Sequence, residues 1–195
     1  RITDALREME NFTHLEHLKL GPCAVASDAD SLVTSLLGHM HNLRTLHLSG
    51  ILELRDDDIC ELLESAIVLN DLSLTDMNMG TLSIEALCST IPNVERVAIT
   101  GSPMLSDTDI RCLCAICVRI TSLTIRQCSA ITDKAFSRCV LMKFVTYLDL
   151  SYLSPLVNGS LLTFFPSSKL QYINLDGLHT NTIAGTLPRC NKRLF

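Results

Sequence analysis

The 195-residue chain lacks tryptophan, has few aromatic residues and carries no excess of basic charge. Its 16 Lys and Arg are outnumbered by 21 Asp and Glu, so there is no global positive field for binding driven by nucleic-acid phosphates. No stretch approaches 18 uncharged apolar residues, the length that indicates a transmembrane helix. The N-terminal segment RITDALREMENF also lacks the apolar region of a secretory signal. The sequence therefore predicts neither nucleic-acid binding nor membrane insertion.

Sequence motifs of catalysis are also missing. The chain contains no G-x-S-x-G, no G-x-x-x-x-G-K-S/T and no G-x-G-x-x-G. Its eight glycines are scattered, mainly after apolar segments, and Gly50, Gly101 and Gly177 are interpreted as turn residues. We therefore expect a protein that is not an enzyme and has no cofactor.

Nine cysteines are present, an odd number that argues against a closed disulfide framework. Most of them fall where the apolar pattern requires a small hydrophobic side chain, which is how free cysteine packs. Those positions are Cys23, Cys60, Cys88, Cys112, Cys117, Cys128 and Cys139. The pattern predicts reduced thiols and an intracellular, reducing compartment, either cytoplasmic or nuclear.

One short phrase recurs along the chain: an apolar residue, two other residues, an apolar residue, one other residue and a third apolar residue. Seven copies begin at residues 15, 43, 69, 94, 120, 145 and 170, so their starts are 25 to 28 residues apart. Leu43-Arg-Thr-Leu46-His-Leu48 is one of them. The alternation that ends each phrase predicts a short β-strand.

Between the phrases, apolar residues follow a helical period, most clearly after Leu54, Leu105 and Ile131. An aspartate stands at a fixed place at these helix starts and is predicted to be the N-cap: Asp4, Asp56, Asp107 and Asp133. One strand and one helix in about 25 residues is too short for the βαβ unit of a doubly wound sheet. The predicted fold is an α/β solenoid of about seven repeats, with a curved parallel sheet inside and helices outside.

The chain resembles the leucine-rich repeat family in its cysteine-containing type. The resemblance rests on the seven phrases, on Cys23 and Cys128 after two of them, and on the helix starts Ile2-Thr-Asp4 and Ile131-Thr-Asp133. Other residues replace the cysteine elsewhere, and the last two repeats lack Ile-Thr-Asp, which weakens the helix prediction there. Such repeats occur in F-box proteins, where they recognise the substrate of a cullin-RING ubiquitin ligase, so the resemblance implies that role.

The resemblance covers the whole chain and predicts a single domain over residues 1–195. The chain begins at a helix start and ends at Phe195 without an evident polar cap. Because solenoids need capping repeats at their ends, we expect a fragment of a longer solenoid or chain.

The densest group of candidate metal ligands is Cys112-x-Cys114-x-x-Cys117. A structural zinc site usually takes four ligands, and no second Cys or His pair follows at zinc-finger spacing. Cys117 also lies three residues before a repeat phrase, at a position that is apolar in other repeats. We therefore interpret these cysteines as packing residues and predict no metal site.

The residues between the apolar positions of each phrase point away from the core, and equivalent positions lie on neighbouring strands about 4.8 Å apart. Together they form the predicted concave face, which is small and polar in its middle. Tyrosine and arginine are frequent interface anchors, and both types occur on this face. We predict a partner-binding site that comprises His47, Arg96, Arg126, Tyr147, Asp149, Tyr172 and Asn174.

Three functions are compatible with these features. The first is a non-enzymatic protein-interaction module, the substrate-recognition part of an F-box type ubiquitin ligase receptor. The second is a structural scaffold subunit of a large multiprotein assembly, whose apolar surfaces are covered by neighbours. The third is a leucine-rich repeat GTPase activator, which is disfavoured because such repeats look longer and carry Asn after the strand. An ordinary solvated strand face is the alternative to the predicted partner site.

Overall fold

The computed structural model describes residues 14–21, 33, 36–37, 40–136, 144–153 and 169–178. Within them, seven strands form one parallel sheet, and each strand pairs with the next one along the chain. Each strand comes from one of the seven repeat phrases. The strands are β1 (His17–Leu20), β2 (Thr45–Ser49), β3 (Asp71–Thr75), β4 (Arg96–Thr100), β5 (Ser122–Arg126), β6 (Tyr147–Asp149) and β7 (Tyr172–Asn174). The predicted α/β leucine-rich repeat solenoid is confirmed.

Helices connect successive strands: α1 (Asp56–Ser65), α2 (Thr81–Thr90) and α3 (Asp107–Ile116). The helices expected after Leu54 and Leu105 are therefore present. After Ile131 the structure has a 3₁₀ turn, η1 (Asp133–Phe136), and the rest of that expected helix lies outside the described residues, as does the helix start at Asp4. None of the helices in the described residues is long and apolar enough to cross a membrane.

The central apolar residues of the repeat phrases stack in register across the sheet. Leu72, Val97, Leu123 and Leu148 are each at most 2% exposed. Parallel pairing aligns them with their neighbours in one ladder: Leu18, Leu46, Leu72, Val97, Leu123, Leu148 and Ile173. The predicted register of the repeats is confirmed, and this ladder fixes which strand residues face away from the core.

The predicted role of Asp56 as N-cap of its own helix is wrong. Arg55 occupies the N-cap position of α1, and Asp56 is the first helical residue. The Asp56 carboxylate instead accepts hydrogen bonds from the backbone N–H groups of Gly80, Leu82 and Ser83 at 2.7, 3.0 and 3.1 Å. Because these N–H groups open α2, Asp56 caps the helix of the following repeat.

Asp107 departs from the prediction in the same way. Ser106 is the N-cap of α3, while the Asp107 carboxylate accepts from the N–H and the hydroxyl of Thr132 in the next repeat, each at 2.6 Å. Asp109, at the third helical position, accepts from the N–H of Ser106 at 2.8 Å. Asp109 thus accepts a hydrogen bond at the start of its own helix, whereas Asp107 joins neighbouring repeats.

A residue with positive φ follows the strand in six successive repeats: Gly50, Asp76, Gly101, Gln127, Tyr152 and Gly177. The N–H of Gly101 donates to the carbonyl of Arg126 at 2.9 Å, and the equivalent bond recurs between other neighbours. The left-handed conformation favours glycine, so the interpretation of Gly50, Gly101 and Gly177 as turn residues is confirmed.

Candidate partner-binding face

The side chains that alternate with the core ladder form what we call the polar sheet face. Its first row is His17, Thr45, Asp71, Arg96, Ser122, Tyr147 and Tyr172. Its second row is Lys19, His47, Ser73, Ala98, Thr124, Asp149 and Asn174. Arg126 stands in a third row with Ser49, Thr75 and Thr100. All seven residues predicted to bind a partner lie on this face, in two groups.

The first group joins three neighbouring strands through Asp71. His47 Nε2 lies 3.1 Å from Asp71 Oδ1, and Arg96 Nε lies 2.8 Å from Asp71 Oδ2. Burial raises the pKa of Asp71, but hydrogen bonds from Arg96 and His47 outweigh it, so this pKa is lower than usual. The group therefore has a fixed carboxylate at its centre, while Arg96 keeps 47% of its side chain exposed.

Asp71 was missed as a site residue by the sequence prediction. The repeat alignment places it beside Arg96 in the first row and diagonal to His47 in the second. Opposite charges at such cross-strand positions attract each other, and that signal would have identified it.

The second group contains a stacked pair of tyrosines. The rings of Tyr147 and Tyr172 are parallel within 3°, with centroids 4.4 Å apart. They remain 36% and 41% exposed. Burial, together with the nearby Tyr172 and Asp149, raises the pKa of Tyr147 above its usual value. The pair offers aromatic area with hydroxyl groups.

Asp149 organises the polar residues beside the tyrosines. It is only 4% exposed, so it supports the site from below. Its Oδ2 accepts from Asn174 Nδ2 at 3.3 Å, and its Oδ1 accepts from the N–H of Ser151 at 3.0 Å. Arg126 Nε lies 3.8 Å from Oδ2, an ion pair longer than a hydrogen bond. Asp149 thus positions Asn174 and Arg126.

Small side chains separate the two groups. Ser122 lies between Arg96 and Tyr147 in the first row, and Ala98 and Thr124 lie beside it in the second. All three are partly exposed. The middle of the face is therefore a shallow floor between an arginine and an aromatic ring.

The cysteines form a separate cluster between α2 and α3. The Sγ atom of Cys88 lies 3.8 Å from that of Cys112 and 4.0 Å from that of Cys117. Cys114 and Cys117 are buried, in agreement with a packing role. Burial and the neighbouring Cys88 thiol raise the pKa of Cys112 to about 11. In the part of the chain that the structure describes, no group of three or more His, Cys, Asp or Glu could hold a metal ion.

Comparison with known proteins supports the same fold. No family model matches the sequence. A 120-residue stretch is 29% identical to F-box/LRR-repeat protein 4 of Bos taurus, and the match covers 60% of this chain but 19% of that protein. The structure is similar to a chain of the yeast Rad7 and Elc1 complex, with a TM-score of 0.51, 15% sequence identity, and coverage of 90% of this chain and 62% of that one. The chain thus spans less than two thirds of either protein, and these similarities, with the sheet, establish a leucine-rich repeat fold.

Proposed function

We propose that this chain is a non-enzymatic protein-interaction module that binds a partner through the polar sheet face. The observation that carries the proposal is the exposed Tyr147–Tyr172 stack, which is buttressed by a buried carboxylate. Tyrosine and arginine dominate interface hot spots because they combine large contact area with hydrogen bonding. A regular sheet also holds these side chains in place before binding, which lowers the entropy lost on association.

The partner in this proposal is the substrate of a ubiquitin ligase, and the chain is the recognition part of an F-box type receptor of the cysteine-containing repeat type. The similarity to F-box/LRR-repeat protein 4 supports this role, as does the resemblance of the repeat phrases. The module acts inside the cell, where the thiols are reduced. No step of this function requires a cofactor or catalysis by the repeats.

The alternative is a structural subunit whose surfaces are covered within an assembly. Exposed apolar side chains outside the sheet face favour it, among them Leu52 at 63%, Ile67 at 60% and Met104 at 59%. These residues lie in connecting segments at different places in the repeats, so the two functions predict different binding residues.

Quantitative affinity purification from cells distinguishes them. The wild-type chain is compared with Tyr147→Ala, Tyr172→Ala and the exposed helix variant Glu61→Ala. Loss of the same proteins with both Tyr variants, but not with Glu61→Ala, supports the sheet face. If those proteins also accumulate when the gene is silenced, they behave as ligase substrates. Retention with the Tyr variants and loss with Ile67→Ser would instead support the structural subunit.

A further inference from the structure

We infer that the space above Ser122 is a slot for an aromatic side chain of the protein partner. This inference rests on the proposed function and specifies the chemistry of its ligand. The slot has Ser122, Ala98 and Thr124 as its floor and the ring of Tyr147 as its wall, and the strand of Arg96 lies at its other end.

The slot arises from strand spacing. Arg96, Ser122 and Tyr147 are consecutive in the first row. With strands about 4.8 Å apart, the backbones of Arg96 and Tyr147 are separated by about 9.6 Å. The Ser122 side chain ends at its Oγ and cannot cover a neighbouring ring. There is therefore room for one planar group between Tyr147 and the strand of Arg96.

The Tyr147 wall favours an aromatic ring. One face of its ring already stacks on Tyr172, with centroids 4.4 Å apart. The opposite side of Tyr147 is the Ser122 side, where the row has no ring of its own. A ring inserted above Ser122 would continue the stack with the same spacing, an arrangement that aromatic side chains favour.

Arg96 marks the other end of the slot without filling it. Its Nε bonds at 2.8 Å to Asp71 on β3, which lies on the opposite side of β4 from Ser122, so this side chain leans away from the slot. Arg96 and Arg126 are already paired with Asp71 and Asp149, so neither offers an uncompensated charge to a charged side chain of the partner. A neutral ring that stacks on Tyr147 is therefore favoured over a charged group.

The floor also suits an aromatic ring. Ala98 contributes a methyl group and Thr124 a small side chain, and neither carries charge. A ring edge can therefore approach the sheet without leaving an ion desolvated.

Selection of random 12-residue peptides on phage against the immobilised chain tests the inference. We expect the enriched peptides to share one Trp, Tyr or Phe. Binding of their synthetic forms can be followed by the fluorescence of a Trp placed in the peptide, because the chain itself has none. Replacing the shared aromatic by cyclohexylalanine preserves its size but removes its π face, and should weaken binding by about five-fold or more.

A second arm fills the slot with a ring of the chain itself. Ser122→Tyr extends the Tyr147–Tyr172 stack and should weaken peptide binding about ten-fold or more. Ser49→Tyr, the same change on the same face but on β2, is the matched control and should change binding less than two-fold. Thermal unfolding verifies that both variants fold. The comparison with the cyclohexylalanine peptide uses the wild-type chain and so does not depend on the folding of a variant.

Three results would overturn the slot: enriched peptides without a shared aromatic residue, equal binding of the cyclohexylalanine form, or a folded Ser122→Tyr variant with unchanged affinity. Affinity purification of the cellular partners shows whether only the slot is wrong or the proposed function is wrong as well. If Tyr147→Ala releases them and Ser122→Tyr does not, the face binds a partner but the slot is wrong. If neither releases them, both proposals fail.

Discussion

Ser83 donates its backbone N–H to the carboxylate of Asp56, 27 residues earlier in the preceding repeat, at 3.1 Å. The hydroxyl of Ser83 bonds to the same carboxylate, and the Ser83 side chain is fully buried. The first turn of α2 therefore depends on an acidic residue of another repeat. Such bonds couple neighbouring repeats, whose interfaces determine the stability of a solenoid.

Replacing Asp56 by Ala should lower the free energy of unfolding by about 1 to 3 kcal/mol, because it leaves N–H groups of α2 without their acceptor. Asp57→Ala is the matched control: Asp57 is 58% exposed in its ion pair with Arg55. Its loss should cost less than about 1 kcal/mol. Urea denaturation measures both free energies of unfolding. Equal losses of stability in the two variants would contradict a cap that acts across repeats.

Leu123 offers a test of the core ladder. It is fully buried between Val97 and Leu148. Leu123→Ala should cost about 2 to 5 kcal/mol through lost burial and the cavity left behind. The exposed Leu82 gives a control, since Leu82→Ala should cost far less. A loss below about 1 kcal/mol at Leu123 in chemical denaturation would show that the repeat register is wrong.

Gly101 tests the turns between strand and helix. Its φ is +69°, and an added Cβ would clash with Asp76 Oδ1. Gly101→Ala should therefore destabilise the chain by about 1 to 3 kcal/mol. Gly21→Ala is the control because no heavy atom lies within 4 Å of its added Cβ. Thermal unfolding of the two variants should differ clearly, and equal melting temperatures would contradict the constraint.

Cys112 tests the effect of burial on the thiols. With a pKa of about 11 its thiolate is scarce at pH 8, so alkylation by iodoacetamide should still accelerate between pH 9 and 11. In the unfolded chain this thiol ionises at lower pH, so its contribution to stability is present below about pH 9 and lost as pH rises towards 11. Site-resolved mass spectrometry gives the rates, and a plateau near pH 9 would contradict the raised pKa.

The same experiment under denaturing conditions tests the redox state. We predict nine alkyl adducts without reductant, because all nine cysteines are expected to be reduced. The structure describes six of them, and all six are free thiols. Seven adducts or fewer would show that a disulfide exists and that the predicted reducing compartment is wrong.

The fold could be predicted because each repeat places its apolar residues in the same pattern. Leu123 and its neighbours are constrained by the pleat, so the phrase alone determines which side chains enter the core. The partner of Asp56 could not be predicted in this way. Its bonds depend on how α1 and α2 approach each other, and the sequence shows only that an acidic residue stands at a helix start.

The candidate site was predictable to a similar extent. The register places Tyr147 beside Tyr172, and the structure confirms that the rings stack. The near-complete burial of Asp149 was not visible in the sequence. The alternation of side chains along a strand predicts which face of the sheet a side chain lies on, but not how deeply it is buried. Its burial reflects the side chains around it, including Arg126 and Asn174. The sequence therefore predicted which side chains share the polar sheet face, and the structure shows that the two tyrosines are exposed there and that Asp149 is buried.

The tyrosine stack is the most direct test of the partner-binding face. Tyr147→Ala or Tyr172→Ala should weaken binding of a recovered partner by about 1 to 2 kcal/mol, because each removes an exposed aromatic contact. The free energy of unfolding should change little in comparison with Leu123→Ala, since both rings lie outside the core ladder. Titration calorimetry with the purified partner gives the affinities, with Glu61→Ala as the exposed control on α1. A partner that binds both Tyr variants as tightly as the wild type, but loses affinity for Glu61→Ala, would move the interface from the sheet to the helices.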